Sequence, residues 1–272
     1  MRDLMKTPIK PQMLILFSAL FIVALIGSSC QKTAPAHESS VDLGDEKIAA
    51  EKISEAERLY EGRDDMARAR VAVAALRQAR TADYGNYEAA WKLSRASYYV
   101  GDHTTDSSES EDMFRDGIEA GKSAIKLEPN KPEGHFWLGA NYGGSASRST
   151  LANLSNVQDI RREMEAVLKL DEGFQGGSAY LGLGRLYLQA PRVLGGDTKK
   201  AIEYLEKGLR LGPNNSLMIF HLAEAYANEN RNEDARKQLD RLSAMTPDPK
   251  YAAEHKDALT KSKKLQDKLA AR

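Results

Sequence analysis

The chain has 272 residues, 42% hydrophobic and 29% charged, enough for one or two domains with a core of their own. Lys and Arg together number 39, as do Asp and Glu, so no net field draws the chain to nucleic acid. One cysteine excludes an internal disulfide, and aromatics at 7% with few alternating runs exclude a β-rich core; the chain reads as all-helical.

At the N-terminus, "MRDLMKTPIKPQ" carries Arg2, Lys6 and Lys10 against Asp3, and Met13 to Gly27 is uncharged and mostly apolar. Fifteen residues fall short of the roughly 20 that a membrane span needs. A basic start, a short apolar run and then small residues make an export signal over 1–29. "IGSSC" resembles the bacterial lipobox, in which the cysteine is lipidated and becomes the mature N-terminus; that implies Cys30 is the anchor. Ordinary cleavage beside an incidental cysteine is the other reading. One acyl chain binds membranes only marginally, so a firm anchor needs more than one. Gln31 after the cysteine favours the outer membrane. Residues 30–46, the lipidated cysteine and a stretch with little to bury, read as a flexible tether, and 47–272 as a helical domain.

Within 47–272 the chain repeats. "LEKGLRLGPNN" and "LDRLSAMTPDP" place Pro213 and Pro247 34 residues apart. After Pro213, Leu222, Ala223, Tyr226, Ala235 and Leu239 follow a large–small–aromatic–small–large order; Leu183, Gly184, Tyr187, Ala201 and Leu205 do so one unit earlier. Leu138, Gly139 and Tyr142 open a third unit that runs through Ile160, Met164 and Val167. Trp91, Leu93, Ser94 and Ala96 lead into Gly117, Gly121 and Ala124, and a weaker unit spans Ile48 to Tyr84. This is the tetratricopeptide (TPR) period. Each unit is a helical hairpin that cannot bury its apolar face alone, so the units stack into a superhelix. The last 22 residues, "YAAEHKDALTKSKKLQDKLAAR", read as a capping helix.

Several local patterns resemble catalytic motifs and fail on spacing. "GIEAGKS" has three residues between its glycines where a phosphate loop needs four, and a helix instead of a strand before it. "GGSASRS" lacks the second glycine of a nucleophile elbow. The histidines at 37, 103, 135, 221 and 255 show no metal spacing, and "HTTDSSESED" reads as a solvated acidic loop. No cofactor is expected and the reading is non-enzymatic.

Two departures from a plain repeat stand out: "GGSASRSTLANLSNVQD" between Tyr142 and Ile160, and "LQAPRVLGGDTKK" between Tyr187 and Ala201. Both read as lengthened turns that, with "YYVGDHTTDSSESED", gather near one rim. The first helix of such a repeat turns the residues two before and two after its packing leucine toward the concave groove. These are Trp91 and Arg95, Phe136 and Ala140, Leu181 and Arg185, and Phe220 and Glu224, extended by Tyr98 and Leu188. The arrangement suits an amphipathic ligand with an acidic group; burial of the same residues between adjacent helices is the competing reading. His135 reads as a groove or core histidine rather than a catalyst.

"LEPNKPEGHFWLGANYGG", "IRREMEAVLKLDEGFQGGSAYLGLGRLYLQAPRVLGGDTKKAIEYLEKGLRLGPNN" and "FHLAEAYANENRNEDARKQLDRL" resemble the T component (TatT) of the tripartite ATP-independent periplasmic (TRAP) transporters, over roughly Lys47 to Met245. A more distant likeness, through His135-Phe136-Trp137, is to the eukaryotic regulators of microtubule dynamics, a role the export signal argues against. The first resemblance implies a trimeric, periplasm-facing lipoprotein of cryptic TPR repeats with a lumen in each protomer. It also implies a periplasmic solute-binding protein as partner and a hydrophobic small molecule as ligand, and it supplies no catalytic residues. A general scaffold or assembly factor that binds peptide segments of other envelope proteins is the alternative.

Overall fold

The computed structural model describes residues 43–148 and 153–271. The export signal, Cys30 and most of the expected tether lie outside the described residues. Eleven α-helices follow in order among the described residues: α1 Leu43–Glu61, α2 Met66–Ala82, α3 Tyr87–His103, α4 Ser107–Leu127, α5 Pro132–Arg148, α6 Asn153–Leu170, α7 Ser178–Gln189, α8 Thr198–Leu211, α9 Ser216–Asn228, α10 Asn232–Ala244 and α11 Ala252–Ala270. Short 3₁₀ turns at Arg192–Leu194 and Pro249–Tyr251 interrupt the last connections. The fold is all-helical, five antiparallel hairpins and a C-terminal helix, as the repeat predicts. The first helix begins at Leu43, inside the segment read as tether.

Short polar side chains start the helices. Asp65, Asn86, Asp106, Asp197 and Asn215 each accept from a backbone N–H in the first turn of the helix that follows. Pro132 opens α5, where its missing N–H costs nothing. Large apolar residues then meet small ones. Leu183, Leu205, Met218, Ile219 and Leu239 are completely buried. Truncating any of them to alanine costs about 2–5 kcal/mol. A Cβ on Gly184 would lie 2.6 Å from Leu205 Cγ, and one on Gly208 2.5 Å from Met218 Sδ, so glycine sets the approach of α7 to α8 and of α8 to α9. A polar knot serves α3, α4 and α5. The buried Asn141 amide donates to the carbonyls of Ser94 (2.9 Å) and Trp137 (2.8 Å), while Ser94 Oγ donates to the Gly117 carbonyl at 2.7 Å.

Two expected loops are helical. "GGSAS" does not open a long turn: α5 runs to Arg148 and α6 starts at Asn153, leaving only residues 149–152 between. Gly144 is a packing position, because a Cβ there would fall 2.1 Å from the Phe114 ring. Similarly, α3 extends to His103 and α4 begins at Ser107, so "HTTDSSESED" is mostly helix. The Asp106 cap drives this, and Glu109, expected to be solvated, takes hydrogen bonds from Arg70 and Thr104. Only the α7–α8 connection is a true insertion. It returns through the Asp197 N–H on the Tyr187 carbonyl at 2.8 Å and exposes Val193 almost completely.

Candidate functional site

The first helix of each hairpin faces inward and the second outward. The inward faces of α1, α3, α5, α7 and α9, joined by α11, enclose a cavity of about 1520 Å³. Among the second helices only α6 reaches it, through Val157, Ile160 and Met164. The volume exceeds the roughly 300–1,000 Å³ of ordinary small-molecule sites. Helices at the two ends of the chain meet around it. Arg63, in the α1–α2 turn, donates to Glu254 at 2.7 Å and to the Lys250 carbonyl at 2.9 Å. The concave groove is therefore a lumen bridged at its ends by this contact and partly open to solvent.

One part of its wall is apolar. Phe136, Trp137, Ile160, Met164, Leu181, Leu186, Pro191 and Leu194 line it, with Gly139, Gly143 and Gly182 between them. Phe136 is fixed edge-on against Trp137 and tilted on Phe174, at centroid distances of 4.9 and 5.5 Å. The other part is charged but internally matched. Lys92 bridges Glu88 (2.6 Å) and Glu57 (3.3 Å), and Arg95 pairs with Glu57 while lying 4.1 Å over the Tyr60 ring. Burial pushes the Tyr60 hydroxyl up to about 12, so it stays neutral. Lys261 pairs with Asp257 at 2.7 Å on α11.

Arg185 spans the two parts. Its Nη1 reaches the Tyr98 hydroxyl at 3.3 Å, linking α7 to α3 past the intervening α5. Asp102 and Glu224 supply opposite charge nearby. His221 lines the lumen beside them, and burial pushes its imidazole down to about 4, so it is neutral at pH 7 and donates from Nδ1 to Glu224 at 3.0 Å. Lining carboxylates balance lining cations almost one for one. Of the two arginines expected to seat an acidic ligand, Arg95 is already paired with Glu57, whereas Arg185 bonds only the neutral Tyr98 hydroxyl and feels Asp102 and Glu224 as nearby charge.

Of the ten groove residues expected from sequence, Trp91, Arg95, Tyr98, Phe136, Leu181 and Arg185 line the lumen, as does Ala140. Four do not. His135 faces α6, where its Nδ1 lies 2.7 Å from Glu163 and its Nε2 3.1 Å from the Pro129 carbonyl. Both partners are acceptors, so both ring nitrogens donate; the Glu163 hydrogen bond raises the imidazole above its usual range. Phe220 is buried in the C-terminal core, Leu188 is half-buried beside it, and Glu224 turns to His221. On α9 the lining residues are instead Ser216, Leu217 and His221, because α11 packs against this helix. Sequence reasoning also missed Tyr60, Arg63 and Trp137. Trp137 carried a signal, since it follows Phe136 on a helix whose inner face is wider than two positions.

With this geometry established, a family model described as TRAP transporter T-component matches residues 122–263, from α4 into α11. That is more than half the chain. The chain belongs to the TRAP transporter T-component family. A second model, Regulator of microtubule dynamics protein 1-3, matches residues 52–188, so the two share 122–188, the stretch that holds α5, α6 and most of α7. No curated protein matches this T-component. Among solved structures, a thermophilic TPR protein of Thermus thermophilus, TTC0263, aligns with a TM-score of 0.58 at 18% identity, covering 78% of this chain and 99% of that one. PilF of Pseudomonas aeruginosa aligns at 0.52 and 17% identity, covering 83% and 93%. At such identity these likenesses carry the TPR fold of this T-component and nothing of its partners.

Proposed function

We propose that this T-component is a non-enzymatic envelope protein, lipid-anchored through Cys30, whose TPR superhelix docks a periplasmic solute-binding protein and holds a hydrophobic ligand in its lumen. Membership of a transporter-component family points to the bacterial envelope, and no helix among the described residues is long and apolar enough to cross a membrane. The leader, the tether and a homotrimeric assembly belong to the same reading. The observation that carries the ligand is the lumen: a large interior volume with an apolar stretch of wall and, around Glu57, charges that are already paired. Apolar wall gains from covering apolar guest, at roughly 25 cal/mol per Å². A molecule with a substantial apolar part therefore fits this stretch of wall.

The scaffold alternative, in which extended peptide segments lie along the concave face, calls for an open groove, and the Arg63–Glu254 contact spans this one. Native mass spectrometry of the detergent-extracted full chain, before and after organic extraction, tests the ligand. A discrete adduct lost on extraction supports it, and a bare chain mass in both samples would count against it. Crosslinking in intact cells tests the partner: one dominant solute-binding protein supports docking, whereas a spread of envelope proteins favours the scaffold.

A further inference from the structure

The ring is closed by a narrow contact. Arg63 is held rigidly on the N-terminal side, its guanidinium 4.9 Å over the Tyr60 ring and 5.6 Å from that of Tyr99, with Nη1 on the Tyr60 carbonyl at 3.3 Å. Its Nε and Nη2 then grip the Glu254 carboxylate, and Nη2 also takes the Lys250 carbonyl. The receiving side is lightly built. Helix α11 fully buries only His255, Ala258, Ser262 and Leu269, with Leu259 and Leu265 part-buried on the same core and His255 bonded to Ser216, whereas α9 beneath it buries Met218, Ile219, Phe220, Leu222 and Tyr226. An element with few buried apolar contacts opens at the low end of the stability range. It is joined to α10 by residues 245–251, in which Pro247 and Pro249 cannot donate backbone hydrogen bonds and the turn is held chiefly by Asp248, accepting from the Lys250 and Tyr251 N–H groups. All of that strap but Met245 lines the lumen.

We propose that the strap and α11 form a hinged lid on the lumen, latched by Arg63 on Glu254 and the Lys250 carbonyl, and that release of this latch admits the guest. The admission step rests on the lumen reading above; the lid itself does not. Three charge-assisted hydrogen bonds to one partly buried carboxylate make a contact that is strong when formed and lost as a unit, as a latch requires.

Hydrogen exchange on the full-length wild type, Glu254→Gln and Arg63→Met separates the outcomes, with Lys256→Gln as an exposed control on the same helix. Removing a charge-assisted pair that is partly buried predicts exchange about tenfold faster or more across 252–270 in both variants, with α9 and α10 unchanged and the control like wild type. Association of Nile red with the lumen then speeds up by a similar factor. Because Arg63 is buried, its variant risks misfolding, and Glu254→Gln, which keeps the shape of a more exposed side chain, decides in that event. Unchanged exchange in α11, or acceleration spread evenly over all helices, would overturn the lid. Faster α11 exchange with unchanged dye kinetics would overturn its role in admission. Failure of Nile red to bind any of the proteins would overturn the lumen reading instead, and exchange would still decide the lid.

Discussion

The two stretches of lumen wall differ in how their side chains are occupied. In the charged stretch, Glu57 is shared by Lys92 and Arg95, Tyr60 lies under the guanidinium, and each group has a partner before any ligand arrives. In the apolar stretch, Phe136, Ile160, Met164 and Leu181 have neighbours behind them and open volume in front. Matched charge in a half-dry site fixes shape and position, while unmatched apolar surface supplies the driving force for a guest. The charged wall is thus a framework and the apolar wall a seat.

The largest expected effect tests the framework through protons. His221 falls from its ordinary 6.5 to about 4 on burial, so the folded state resists its protonation. Its contribution to stability is complete above pH 6.5 and drains away as pH falls toward 4, a loss on the order of 3 kcal/mol. Urea melts of wild type and His221→Gln across that window measure it, and parallel curves for the two would contradict it. Next, Phe136→Asp puts a carboxylate in the seat. Nile red affinity drops about thirtyfold, with the far-ultraviolet helix signal retained. Equal dye binding would move the seat elsewhere. Glu57→Ala sharpens the contrast from the other side: it leaves Lys92 and Arg95 short of an acceptor and lowers stability by about 1–2 kcal/mol, discounted for partial exposure, while dye affinity changes less than about threefold. The smallest effect comes from outside the lumen. His135, raised by Glu163, stabilises below pH 6.5 and ceases to as pH rises through its elevated value. His135→Gln flattens that alkaline decline and leaves dye binding alone.

The repeat was legible because its physics is local. Leu183–Gly184–Tyr187 and Leu222–Ala223–Tyr226 each show large, small and aromatic residues at helical spacing, and the prolines mark the joints. Six of ten groove positions followed from the same spacing. The failures share a cause, which is contact with something distant. Gly143 and Gly144 look like turn residues until Phe114, on another helix, is seen to need the bare backbone of Gly144. Phe220 and Glu224 hold the expected places on α9, but α11 comes back over that helix and takes its inner face. His135 answers to Glu163, 28 positions on, and Arg63 to Glu254, 191 positions on. No periodicity within one hairpin encodes partners at those separations.

Open solenoids tolerate gain or loss of a unit, since each contacts only its neighbours. Here a gain or loss would also cost the Arg63–Glu254 contact, which is made after a fixed number of turns. Inserting a further 34-residue hairpin would carry the tail past the head and leave a spiral with unsatisfied ends. A change in length at a joint between helices, such as the turn that exposes Val193, leaves that contact in place, whereas a change in the number of hairpins does not.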